Sequence, residues 1–216
     1  MFRTFAAATG VAGLLASGAA MAMETTATTD LNLRAGPGPN YAVTGVIPAQ
    51  AAVEVAGCID AANWCQVSYD GQTGWSYGDY LATKVGDEIA YITVDRAKTQ
   101  VKTVVHEDTS GQSAAIVGSM GAAAGALIAG PAGAAVGLAA GAVTGGVADP
   151  GRTVTTYVTE HPVDYVFLDG EVVVGAGVPE TVEIYPVPES EFTYAYINGV
   201  PMVIDPADRS IVHIVR

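Results

Sequence analysis

Few residues in this chain could do covalent chemistry. Cys58 and Cys65 lie close together, with Trp64 beside the second. Two thiols at that spacing could bind a metal or form a disulfide. A metal would need a third and a fourth ligand, and no further ligand lies nearby in sequence. The histidines, His106, His161 and His213, are far apart and lack H-x-x-x-H or H-E-x-x-H spacing; His106, followed by Glu107-Asp108, reads as part of a solvated turn. Gly74-Trp75-Ser76-Tyr77-Gly78 has the G-x-S-x-G form of a hydrolase nucleophile elbow. That motif needs a strand–turn–helix setting with a later acid and histidine, whereas here it falls inside a β hairpin. There is no Walker A sequence and no recognisable carboxylate pair. The expectation is a protein without an active site, cofactor or metal.

Recognition is the more productive chemistry to look for. Asn32, Arg34, Tyr41, Trp75, Tyr77 and Tyr80 are the candidate ligand-binding residues. The planar guanidinium of Arg34 suits a carboxylate such as a peptide terminus. The rings could stack on sugar or proline faces. A structural role competes for each: Arg34 could tie its strand to a neighbouring carboxylate, and Trp75 could be core.

The elements that must position these residues are short strands. Val43–Ile47 and Ala52–Val55 are separated by a turn containing Pro48. Trp64–Tyr69 and Gln72–Tyr77 flank Asp70-Gly71, a two-residue hairpin signal, and Tyr80-Leu81 closes the unit. Even spacing of such short strands suggests a small barrel, whose core is marginal by itself. A Cys58–Cys65 disulfide would offset that weakness by roughly 2.5 kcal/mol in the chain-entropy estimate.

Leu31-Asn32-Leu33-Arg34-Ala35-Gly36-Pro37, Trp64-Cys65-Gln66-Val67, Gly71-Gln72-Thr73-Gly74-Trp75 and Asp79-Tyr80-Leu81 occur in the order found in the bacterial SH3-like (SH3b) family, which residues 26–84 resemble. The resemblance implies a barrel of five to seven strands. Members attached to wall hydrolases can bind peptidoglycan, so peptidoglycan or an envelope protein is the expected partner.

The N-terminus points to export. Arg3 precedes an apolar run from Phe5 to Ala16, and Ala20-Met21-Ala22 has the small-x-small form of a signal cleavage site. Residues 1–22 are read as a signal peptide, which places the protein in the periplasm or cell envelope and permits a disulfide. The chain has 9 Lys+Arg against 22 Asp+Glu, a net charge of −13. Losing Arg3 with the leader leaves 8 − 22 = −14. Such a balance repels nucleic acid and anionic headgroups.

Residues 85–112 read as a solvated linker, within which Ile89–Val94 could form one further strand and Lys98–Val105 alternates polar and apolar residues. Ser113–Val147 then runs for 35 residues without a charge, 22 of them Gly or Ala. Glycines recur every fourth residue from Gly133 to Gly145, putting small residues on one helical face. Gly130-Pro131 divides the stretch. Residues 113–148 resemble the glycine-zipper regions of bacterial envelope proteins, and the expectation is a helical hairpin that associates with a membrane or mediates self-association, the alternatives being a hairpin packed on the protein's own domains and a loose Gly/Ala spacer.

Residues 153–216 return to β structure. Two hairpins are expected, one about Asp169-Gly170 and one about Asn198-Gly199. In the second, Ile197 should face Val200, Tyr196 Pro201, Ala195 Met202 and Tyr194 Val203. Ser210–Val215 adds a further strand. This ending resembles a C-terminal domain of unknown function that recurs in exported alphaproteobacterial proteins. The fold class expected for the whole is mainly β with one helical segment: an SH3-like barrel, a Gly/Ala-rich helical hairpin and a small antiparallel β domain. The expected function is a non-enzymatic envelope protein whose barrel binds a wall or protein ligand. The alternative is an accessory subunit that targets a separate wall hydrolase.

Overall fold

The computed structural model describes residues 22–60, 62–106 and 149–216. The glycine-zipper hairpin and all but the last residue of the leader lie outside the described residues.

The N-terminal half is one eight-stranded antiparallel sheet. Its strands are β1 (Met23–Ala27), β2 (Leu31–Arg34), β3 (Val43–Ile47), β4 (Ala52–Cys58), β5 (Trp64–Tyr69), β6 (Gln72–Tyr77), β7 (Leu81–Val85) and β8 (Glu88–Tyr91), in the order β3-β2-β6-β5-β4-β1-β7-β8. Period-two alternation is clear in β4, where Val53 and Val55 turn inward and Ala52, Glu54 and Ala56 outward. The β5–β6 hairpin has the expected register, with Tyr69 opposite Gln72 across Asp70-Gly71. Cys58 and Cys65 face each other across β4 and β5 and are joined as a disulfide. Gly74-Trp75-Ser76-Tyr77-Gly78 lies on β6 and the start of the turn at Gly78–Tyr80, far from an elbow geometry.

Part of the expected linker belongs to this half. β8 pairs with β7, the single helical turn α1 (Arg96–Thr99) packs beside it, and Ile92 is fully buried. Residues 102–104 then lie along β4: the Cys58 amide donates to Lys102 O and the Val104 amide to Cys58 O. Ala90, Ile92, Thr93 and Thr99, scattered among charged residues, supply the burial that fixes this stretch.

The C-terminal half is a five-stranded sheet behind one helix, α2 (Gly151–Glu160). Its strands are β9 (Tyr165–Val166), β10 (Tyr185–Pro186), β11 (Thr193–Ile197), β12 (Val200–Ile204) and β13 (Ile211–Ile214). β11 and β12 pair in the register expected, from Ile197 opposite Val200 to Tyr194 opposite Val203. The two faces of β11 therefore meet different surroundings. Tyr194 and Tyr196 pack with Val154 and Val158 of α2, and their hydroxyls donate to His161 O and Val158 O. Ala195 and Ile197 point the other way.

The hairpin expected about Asp169-Gly170 does not form. β9 instead pairs in parallel with β11, placing Tyr165 opposite Tyr196, and residues 167–174 are irregular. The Asn198 side chain takes the place of a ladder partner: its Oδ1 accepts from the Leu168 amide and its Nδ2 donates to Gly170 O. α2 was also not expected. Its signal was the i, i+4 pair Val154 and Val158 behind Pro150, a start compatible with a helix.

The two halves share one core. A continuous apolar cluster runs from Leu31, Leu33 and Val67 of the first sheet to Leu168, Val172, Ile197 and Met202 of the second half.

Candidate functional site

β2 is the strand on which the halves meet. All four of its residues, Leu31-Asn32-Leu33-Arg34, are buried. The alternation puts Leu31 and Leu33 into the core, leaving Asn32 and Arg34 on the opposite face, where a solvent-facing strand would be wet. Here that face is covered by the C-terminal half.

Arg34 is fully buried, and its donors divide into two sets. Nη1 donates to Pro39 O at 3.0 Å and Tyr41 O at 2.8 Å, both within the N-terminal half. Nε and Nη2 form a bidentate fork on the Glu171 carboxylate, and Nη2 also donates to Asn198 O at 3.0 Å. Asn32 Nδ2 donates to Glu171 Oε1 at 3.1 Å, and so does the Val172 amide at 2.9 Å. The side chains of Arg34 and Glu171 are 1% and 0% exposed, so this charge pair is shut off from water and satisfied by fixed dipoles. Arg216 closes the rim: its Nε donates to Asn32 Oδ1 at 3.1 Å, and its guanidinium lies 4.0 Å from the Asp30 carboxylate.

The aromatic candidates fall into two groups. The Arg34 guanidinium sits 6.0 Å from the Trp64 ring centroid, and Trp64 meets Tyr77 edge-on at 5.4 Å. Tyr77 in turn lies 6.1 Å from Tyr80, and its ring packs against Gly170 of the irregular loop. Burial pushes the Tyr77 phenol up to about 12, with Asp79 adding to it. Burial also pushes Tyr80 well above the usual phenol range, helped by Asp79, Tyr77 and Glu171. Both rings stay neutral at any physiological pH. Asp79 itself is raised by burial, against the opposing pull of a hydrogen bond from the Thr93 hydroxyl.

The second group is Tyr41 and Trp75 around His106, with ring centroids 6.2 Å and 5.2 Å from the imidazole. Tyr41 is half-buried and its ring packs against Gly36, so a Cβ there would collide with the ring unless the ring moved. Trp75 is 5% and Tyr80 2% exposed, which makes both core residues with little face left for stacking. Asn32, Arg34, Trp75 and Tyr77 thus lie on the adjacent strands β2 and β6, where Arg34 is opposite Trp75, while Tyr41 precedes β3 and Tyr80 lies in the turn after β6. Sequence reasoning missed what covers Asn32 and Arg34: Glu171, Asn198 and Arg216.

Residues 29–82 match the bacterial SH3 domain family. The chain carries a bacterial SH3 domain. Residues 157–216 match a second family, described as a domain of unknown function (DUF1236). Neither family is a catalytic one. The SH3 match takes in β2 to β6 and the start of β7, so Arg34 belongs to the SH3 domain and Glu171 to the C-terminal domain. No curated protein matches the chain. Among solved structures, that of NlpC2 from Trichomonas vaginalis aligns with 20% identity over 30% of this chain, at a TM-score of 0.27. The chain spans about a quarter of that structure's length (24%).

Proposed function

We propose that this is a non-enzymatic exported envelope protein whose SH3 domain binds a cell-wall or protein ligand at the edge formed by Asn32, Arg34, Tyr41, Trp75, Tyr77 and Tyr80. The observation that carries this reading is the fixed guanidinium fork of Arg34 on an SH3 strand, with the Trp64 ring 6.0 Å from it. Such an edge suits a ligand that presents a carboxylate beside an apolar or sugar face. Export is supported by the leader and by β1, which begins at Met23, immediately after the expected cleavage position, so cleavage leaves the sheet whole. The Ser113–Val147 segment serves in this reading to hold the protein at a membrane or in an oligomer.

The test begins with cell fractionation under salt and detergent washes. The mature protein, and a Glu171→Gln variant, are then sedimented with purified peptidoglycan. Retention of either chain with the wall material, and detergent-dependent release from the envelope, are expected. A protein that is wholly soluble, monomeric and unretained in both forms would end this reading.

A further inference from the structure

The division of labour among Arg34's donors reveals what kind of contact the domains make. Nη1 is spent on Pro39 O and Tyr41 O, so the SH3 domain orients the guanidinium by itself. What that orientation presents outward is the Nε–Nη2 edge, the geometry that recognises a carboxylate. Asn32 adds a third donor from the same strand face, and the Trp64 ring lies beside the fork. Every element of this receptor comes from the SH3 domain. The carboxylate comes from elsewhere in the chain.

Glu171, in turn, is delivered as a ligand side chain would be. It sits in an irregular stretch between Gly170 and Gly175, both at positive φ, and no ladder pairs the residues on either side of it. That stretch is held by the Asn198 side chain, itself at the tip of the β11–β12 turn. The receptor and the inserted residue are 137 positions apart in the chain.

We propose that the Asn32–Arg34 edge is a carboxylate-binding site which the C-terminal domain keeps filled with its own Glu171, so that docking of that domain and binding of a carboxylate ligand exclude one another. This rests on the binding role proposed above and makes the domain of unknown function the internal competitor of the SH3 ligand. A ligand meeting a site open only part of the time binds with its intrinsic affinity reduced by the open fraction. Weakening the internal competitor must therefore strengthen external binding.

The probe is N-acetyl-L-lysyl-D-alanyl-D-alanine, with its C-terminal amide as the control lacking a carboxylate. Full-length mature protein and Glu171→Gln, which keeps the side-chain volume but removes the charge, are titrated by calorimetry. The variant is expected to bind the acid about tenfold or more tightly than the parent, and to ignore the amide. Arg34→Gln added to Glu171→Gln is expected to abolish the gain. In the unaltered protein, saturating probe is expected to speed hydrogen exchange at the Leu168 and Val172 amides, which Asn198 and Glu171 now hold. That measurement decides the matter if Glu171→Gln does not fold. Equal binding by parent and variant, or unchanged exchange at Val172 under probe concentrations that saturate binding, would overturn the proposal while leaving the binding role intact. If no form binds either the probe or peptidoglycan, both the binding role and this proposal fall.

Discussion

The β5–β6 and β11–β12 hairpins turn on the same local chemistry and end in opposite environments. Asp70-Gly71 and Asn198-Gly199 both place two consecutive residues at positive φ, 48° and 75° in the first and 53° and 80° in the second. Each closes its strands with the expected register. Asp70 is exposed, as an ordinary surface turn should be. Asn198 is 0% exposed and uses every polar group it has: its amide donates to Val166 O, its carbonyl accepts from Arg34, and its side chain bonds Leu168 and Gly170. A turn can therefore be specified locally and still be a tertiary contact. What separates the two is whether the side chain's hydrogen bonds go to water or to protein.

The largest effect that would break this contrast lies just beyond the buried turn. Glu171→Ala leaves Arg34 charged, buried and half-unpaired, and is expected to cost about 3–5 kcal/mol by urea denaturation monitored at both halves. Because the core is continuous, one shared transition is expected; two separate transitions, with only the C-terminal one shifted, would show that the domains are independent. The disulfide at the foot of the exposed hairpin comes next. Reduction, or Cys58→Ser, should lower stability by roughly 2.5 kcal/mol, and an unchanged thermal midpoint would remove the cysteines from any structural role. Asn198→Asp keeps the turn preference but deletes the donor to Gly170 O and sets a second carboxylate close to Glu171. A loss of about 1–3 kcal/mol is expected. Asp70→Asn, the mirror change in the exposed turn, should stay within about 0.5 kcal/mol. If the two turn variants behave alike in melting experiments, the contrast fails.

The smallest effect concerns Asp79, near the end of the first hairpin. Its folded-state pKa is raised, so the charged form is disfavoured on folding: its contribution is fully present below the ordinary aspartate range and is lost as pH rises through the raised value. Asp79→Asn should accordingly raise the thermal midpoint slightly at neutral pH, and this gain should vanish on acidification. A gain that persisted at low pH would point to a cause other than the buried charge.

The legible parts of this molecule were those governed by near neighbours. The Asp70-Gly71 and Asn198-Gly199 turns and the split between Tyr194/Tyr196 and Ala195/Ile197 follow from period-two alternation and turn chemistry, and the Cys58–Cys65 pair from an exported chain with no further metal ligand nearby. Asp169-Gly170 misled for the same reason: the dipeptide is a valid hairpin signal, but Asn198, far away in sequence, satisfies its backbone differently. The packing of residues 88–104 was less legible because the buried positions Ala90, Ile92, Thr93 and Thr99 do not stand out among Glu88, Arg96, Lys98 and Lys102. At the candidate site, Asn32 and Arg34 could be singled out from the Leu31–Arg34 motif, and the structure places both against Glu171. Nothing local distinguishes Glu171 from the other acidic residues of an acidic chain, so its place in the fork was invisible until the fold was known.

The separation between Arg34 and Glu171 also sets an order of events in time. The chain is made from its N-terminus, so Arg34 is synthesised well before the carboxylate that pairs with it. Until synthesis has advanced the 137 positions from Arg34 to Glu171, the Asn32–Arg34 edge is without that carboxylate. Any truncation between the two residues leaves that edge open for good. Arg216, made later still, reaches back to Asn32 and Asp30, so the first half of the protein is sealed only after the second has been synthesised.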